Sequence, residues 1–419
     1  MFRRKARNDA FDEEDGSTSK SKNKLKRTDH QSNPRLTVSI NLLVALFAFL
    51  LALLLLRQDS CSPGKEIGPQ LQALPAVSFG PLTAADLPPD ENFIKSTQYT
   101  DMLKYVRERN DIEGLRHSFE EKGYIIFKPE IPEDVLEGAK KFTEDVYNTC
   151  IVNLEPPEKC RNMHQDKFME VEAVRKLAQN YHIRAMMAVL NGYNPYPIQT
   201  LNYPCTSLAR THSDYIHFAA HPLPLMNAAW VALIDVQPDA GPVFYHEGSH
   251  KLPFYNMQDF GLNHRGEGMY NYAKYQNFMT EAMSLHGRYY EAVIPKGHCL
   301  IWSANLVHGG PPSATEKKPR FSQVTHYFFH GSNYNWVPVA SNLHKRKVEY
   351  YATESVLEMW DEKIPLAKRK SLSKFVEGDC EKFTKRRDDV ISPCEMQSRP
   401  PLIMSKLYEY VQQEGEVVM

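Results

Sequence analysis

Residues 299–329 read CLIWSANLVHGGPPSATEKKPRFSQVTHYFF. A short apolar run leads to His308 and a Gly-Gly-Pro-Pro break, and a second β-branched and aromatic run follows Arg320. Such residues suit a pleated, half-buried surface, and Gly and Pro end it. The spacing predicts strands at 299–303 and 321–329, with a histidine just past the first and an arginine at the head of the second. The same texture recurs upstream at 198–203, 216–219, 228–235, 242–246 and 291–294, which argues for a sandwich or barrel. Apolar positions at helical spacing mark 132–148 and 168–190, with a short strand at 124–127 ahead of them. Charged helices are expected again at 355–366, 374–388 and 403–413. A Tyr-, Asn- and Met-rich insertion at 251–290 is long enough to form a lid. The expected body is α+β with a mainly β core, wrapped by helices from both ends.

The composition narrows the function. The 419 residues carry 50 Lys+Arg against 51 Asp+Glu, a net charge of −1, so the whole chain shows no electrostatic footprint for nucleic acid. Hydrophobic residues at 42% and aromatics at 11% are enough for a core, which excludes a disordered protein. With 20 Gly and no fixed-period repeat, collagen and solenoids are excluded as well.

Residues 36–56, LTVSINLLVALFAFLLALLLL, hold no charge. About 20 apolar residues span the roughly 30 Å of bilayer hydrocarbon, so a transmembrane helix is expected there. Residues 1–35 are rich in Lys and Arg, while Arg57 and Lys65 alone follow the span closely. The positive-inside rule then puts the N-terminus in the cytosol, making a type II signal-anchor protein. The expected layout is a basic disordered tail at 1–35, the span at 36–56, a Pro-rich stem at 57–98, a catalytic domain at 99–345 and a helical extension at 346–419. The endoplasmic reticulum or Golgi lumen is the expected address, and Arg3–Arg4 suits a retrieval signal. Such a lumen permits disulfides, and Cys150 with Cys160 or Cys380 with Cys394 would close short loops. No Asn-x-Ser/Thr sequon occurs, which weakens that address slightly.

The segment THSDYIHF places His212 and Asp214 two apart, and on a strand such residues share a face. One imidazole and one carboxylate, joined by a distant His308, make a facial triad of the kind that holds non-haem Fe(II) with open positions opposite. Arg320 opens a strand whose Ser322 shares its face, and a guanidinium there can grip a carboxylate bidentately.

These motifs resemble the phytanoyl-CoA dioxygenase family of Fe(II)/2-oxoglutarate-dependent oxygenases. Residues from Gln199 to Phe329 carry the likeness: THSD, AAWVALIDV with Trp230, DAGPVFYHEGSHK, IWSANLVHGG and the R-F-S of the last strand. The resemblance implies a double-stranded β-helix, a cupin-like jelly roll. It further implies His212, Asp214 and His308 as iron ligands and Arg320 on the far carboxylate of 2-oxoglutarate. Trp230, Gln199 and, more loosely, Ser322 would line the cosubstrate. No catalytic residue is expected beyond the metal centre. Dioxygen would be the oxidant and ascorbate an expected aid. The implied activity is a hydroxylase releasing succinate and CO2, acting on a lipid, a glycan or another small molecule. Two positions depart from the family: Ser213 stands where Gln is common, and Gly310 where a hydroxyl residue is common.

Other readings compete. HEGSH at 246–250 matches a zinc-protease motif that works only on a helix, and the flanking Gly, Pro and strand formers argue against one. His217 and His221 follow the triad closely but are expected to be ordinary, and His326 is expected to be a packed barrel histidine. Tyr270, Tyr272 and Tyr275 could touch substrate from the insertion. Asp235 and Asp239 are expected to serve the turn before Gly241. A catalytically inactive barrel that binds without turnover is the second alternative. No Asp-x-Asp motif supports a glycosyltransferase.

Overall fold

A computed structural model of the chain describes residues 89–152, 163–207, 209–255, 268–311, 318–332, 334–341, 347–372 and 374–379. All of them belong to the second of two units, Val77–Met419. The expected span at 36–56, the basic tail and the helix at 403–413 lie outside the described residues. Among the described residues no helix is long and apolar enough to cross a membrane.

The fold mixes helices with antiparallel sheets. Helices α1 (Glu91–Ile94), α2 (Thr97–Arg107) and α3 (Ile112–Lys122) precede β1 (Tyr124–Phe127), with α4 (Glu133–Tyr147) and β2 (His164–Gln165) next. The predicted helix at 168–190 is divided into α5 (Glu172–Ala178) and α6 (Tyr181–Asn191), because Asn180 caps α6 by accepting from the Ile183 amide. Phe93 on α1 is buried, so the packed body starts inside the stretch read as stem.

Then follow β3 (Pro195–Tyr203), β4 (Ala219–His221), β5 (Met226–Ala232), β6 (Phe244–His246), α7 (Gly268–His286), β7 (Tyr289–Glu291), β8 (Cys299–Ser303), β9 (His308–Gly309) and β10 (Ser322–Phe329). The chain continues through β11 (Tyr334–Trp336), β12 (Lys347–Tyr351), α8 (Thr353–Trp360), α9 (Leu366–Ser371) and β13 (Phe375–Asp379). The start of the predicted helix at 374–388 is therefore a strand: Phe375–Asp379 pairs with Lys347–Tyr351. That pairing satisfies its backbone across the sheet, an outcome its charged sequence does not signal.

The large sheet has the order β1-β8-β5-β10-β3-β2, and its register separates two faces. Tyr124, Trp302, Leu300, Ala228, Trp230, Val324, His326 and Gln199 fall on one side through successive partner positions. That side packs against Tyr245 of the smaller sheet β7-β6-β9 and against Val243 just ahead of it. The opposite side, with Ile125, Ile198, Val231 and Ile301, joins the core formed by α2, α4, α5 and α6. A helical layer thus backs the large sheet, and its other face meets the smaller sheet.

Candidate metal centre

The ligand segment is not the continuous strand that its spacing suggested. His212 bridges to His308 alone, exchanging backbone hydrogen bonds of 3.0 and 2.8 Å, and Asp214 opens a single 3-10 turn, Asp214–Ile216. Ser213 stays extended, and this brings the two side chains together. One ligand atom from each of His212, Asp214 and His308 lies within 4.8 Å of the others, and all three residues are buried. Asp214 Oδ1 is 3.9 Å from His212 Nε2 and 3.6 Å from His308 Nε2.

The unused atoms of the triad are secured. His212 Nδ1 lies 2.7 Å from the Arg210 carbonyl, and His308 Nδ1 lies 3.0 Å from the Leu306 carbonyl. A carbonyl can only accept, so each Nδ1 carries a proton, which leaves each Nε2 as the ring nitrogen facing the centre. Burial, reinforced by His308, pushes His212 down to about 3, which keeps it neutral and able to ligate. Burial raises the Asp214 carboxyl, but His308, His326 and His212 outweigh it and hold the group well below the carboxylate range.

Two contacts to Asp214 were not legible in the sequence. The Trp302 indole donates to Oδ2 at 2.7 Å, and His326 Nε2 lies 3.6 Å from the same oxygen. His326 also stacks on Phe218 with centroids 4.2 Å apart, so the expected packed histidine touches the metal carboxylate as well. Trp302 stands three strands from β3, and only the register of β8 with β5 aims it inward.

Arg320 is 1% exposed. Its Nη1 donates to the Gly241 carbonyl at 2.8 Å and its Nη2 to the Cys205 carbonyl at 3.5 Å, while Nε finds no acceptor. Among the described residues no carboxylate pairs with it. The Trp230 ring lies 5.9 Å from its guanidinium carbon, and both Trp230 Nε1 and Ser322 Oγ are buried without a partner. Gln199 sits opposite His326 in the sheet register. The four residues expected around the cosubstrate thus occupy the large sheet or its entrance on the metal side.

The competing motif resolves as expected. His246 ends β6, Gly248 takes a left-handed turn at φ 81°, and Ser249–Lys251 is a 3-10 turn, so HEGSH is not helical. His246 Nδ1 contacts the Gly287 carbonyl at 3.0 Å, and His250 Nε2 contacts the Glu120 carbonyl at 3.0 Å, so the two rings serve different neighbours. This overturns the zinc-protease alternative. Ser249 instead supports the metal side: its hydroxyl accepts from the Val307 amide at 2.8 Å, next to His308. Asp235 accepts from the Lys296 amide at 2.8 Å, and Asp239 pairs with Lys318. His221 sits in β4, paired in register with Tyr334.

The insertion reaches the centre through α7. Tyr275 Oη lies 3.4 Å from the Ser213 amide nitrogen, and Tyr272 Oη lies 2.9 Å from His217 Nε2. Thr280 and Asn277 hold Thr211 and Arg210 at 2.9 Å each. Nothing is described of the Tyr270 side chain.

The family model of phytanoyl-CoA dioxygenase (PhyH) matches residues 119–322, the stretch that contains His212, Asp214, His308, Arg320, Trp302, Trp230, Gln199 and Ser322, while His326 lies just beyond it. This stretch belongs to the phytanoyl-CoA dioxygenase family. Solved structures similar to the chain include the non-heme alpha ketoglutarate dependent epimerase SnoN from nogalamycin biosynthesis, at 18% identity over 54% of this chain and 84% of that one, TM-score 0.37. The non-heme alpha ketoglutarate dependent carbocyclase SnoK, from the same biosynthesis, shares 16% identity over 54% and 86%, TM-score 0.41. EctD from S. alaskensis with bound Fe shares 16% over 51% and 75%, TM-score 0.37. No curated protein sequence matches the chain. The phytanoyl-CoA dioxygenase assignment therefore rests on the family match and on the triad the domain assembles.

Proposed function

We propose that the protein is a membrane-anchored Fe(II)/2-oxoglutarate-dependent hydroxylase whose domain is a double-stranded β-helix. The convergence of His212, Asp214 and His308 in one buried spot carries this reading. The donor set fits a ferrous ion: two imidazoles and one carboxylate, the ligand types of a facial triad. Arg320 fits the cosubstrate, because a buried guanidinium without an anionic partner is costly until a carboxylate reaches it.

With 2-oxoglutarate and dioxygen, ferrous iron held there would supply oxidative decarboxylation to succinate and CO2 coupled to hydroxylation. The protein's own part is positioning. Arg210 and Leu306 carbonyls orient the two imidazoles, Trp302 fixes the free oxygen of Asp214, and Arg320 clamps the distal carboxylate while Trp230 and Ser322 face the same space. Buried Trp230, Leu300 and Val324 keep this space dry, which strengthens every charge contact within it.

The proposed address is the lumen of the endoplasmic reticulum or Golgi, reached through a type II span at 36–56. The uncharged run and the basic residues ahead of it support that topology. Cys150 is disulfide-bonded, which suits an oxidising compartment. The proposed layout keeps the basic tail at 1–35, the span at 36–56 and a stem that ends ahead of Glu91, while the strands at 347–351 and 375–379 join the sheet of β11 and β4 and so belong to the packed body. The proposed substrate is a small molecule, lipid or glycan met at that membrane.

Purified protein given Fe(II), ascorbate and labelled 2-oxoglutarate should release succinate, and His212→Ala should abolish the release. Iron binding without turnover across a broad substrate panel would instead indicate an inactive binding barrel. Absence of metal binding would overturn the reading altogether.

A further inference from the structure

Gly310 lies two residues beyond His308, and its amide continues the ladder by donating to the Ala209 carbonyl at 2.8 Å. In extended chain, residues two apart share a side, so a side chain at 310 would point with the His308 imidazole toward the centre. Another segment fills that space. A Cβ on Gly310 would overlap the Ser207 hydroxyl and lie 3.3 Å from Thr206 Oγ1.

The segment that supplies Ser207 joins both ends of the site. Pro204 accepts from the Arg320 amide at 3.1 Å, Cys205 accepts from the Arg320 guanidinium, and His212 is a metal ligand five residues past Ser207. Thr206 is already engaged, because its hydroxyl donates to the Pro311 carbonyl. Ser207 Oγ accepts from the Ala209 amide at 3.2 Å, and among the described residues nothing accepts its proton.

We infer that Ser207 is a binding residue for the 2-oxo acid, donating its hydroxyl proton to a cosubstrate carboxylate from the place a side chain at 310 would occupy. This rests on the 2-oxoglutarate reading above.

The test uses the purified protein with Mn(II), which occupies such sites without turnover. Calorimetry reads 2-oxoglutarate affinity, and electron paramagnetic resonance reads Mn(II) affinity. Ser207→Ala should weaken 2-oxoglutarate about 10- to 100-fold, the loss of one hydrogen bond to a charged group, with Mn(II) affinity unchanged. Gly310→Ser alone should also weaken it, since its side chain collides with Ser207. The double variant Ser207→Ala/Gly310→Ser should recover most of the affinity, because the hydroxyl returns from the other segment. Wild-type affinity in Ser207→Ala, or no recovery in the double variant, would overturn the assignment. So would a loss confined to Ser322→Ala, which would make Ser322 the donor. Wild-type protein that binds Mn(II) and ignores 2-oxoglutarate would instead defeat the parent reading.

Discussion

Asp214 divides its two oxygens between two tasks. Oδ1 faces the imidazoles of His212 and His308, and Oδ2 accepts the Trp302 indole N–H at 2.7 Å. That division leaves a single oxygen for a metal and fixes the plane in which it is offered. Trp302 also packs its ring 4.8 Å from His308, so one side chain orients two ligands.

Trp302→Phe keeps an aromatic body beside His308 and removes the donor. Metal affinity should fall about 10- to 100-fold, the usual effect of deleting a partner that orients a ligand. Titration of the variant with Mn(II) reads this directly, and unchanged affinity would remove Trp302 from the centre.

Arg320→Lys keeps the charge and loses the forked geometry. The 2-oxoglutarate requirement should rise at least about tenfold while metal affinity holds, because a compact ammonium cannot replace two parallel donors. The dependence of succinate release on 2-oxoglutarate concentration checks it.

Burial pushes His250 down to about 4, so it stays neutral in the folded protein where the unfolded chain takes a proton below about 6.5. The sign follows from that: the penalty is absent above about pH 6.5, grows as pH falls, and is complete by about pH 4. The loss amounts to about 3 kcal/mol over that window. Denaturant midpoints measured against pH should drop less steeply in His250→Gln than in wild type.

Arg175, 6% exposed, donates to the Phe168, Met359 and Trp360 carbonyls at 3.1, 3.2 and 3.1 Å. It ties α5 to the end of α8, and the Trp360 ring stacks on Phe168 with centroids 3.8 Å apart. Arg175→Ala should destabilise the fold by about 3 kcal/mol, since three carbonyls lose a charged donor. Chemical denaturation measures this, and a change under 1 kcal/mol would refute the tie (about the size of an ordinary surface substitution).

Much of this was legible along the chain. The strands at 124–127 and 299–303 stand where apolar and aromatic runs put them, because alternation and Gly/Pro breaks are local signals. That His212, Asp214 and His308 could meet was legible for a different reason: few residue types hold a metal, and their spacing limits chance; the structure brings them within 4.8 Å of one another. The strand at 375–379 was not, because its partner at 347–351 decides it. Trp302 and His326 escaped notice as partners of Asp214 because their approach depends on sheet register across three strands.

The amino-acid order by itself determined which groups could form a metal centre and that strands would carry them, since side-chain chemistry and local propensity are properties of the chain. Only the tertiary structure decided that Asp214 sits on a turn, that Trp302 secures its second oxygen, and that Ser207 occupies the space left by Gly310. Those are contacts between segments distant in sequence. They are set by register and packing, which no local pattern encodes.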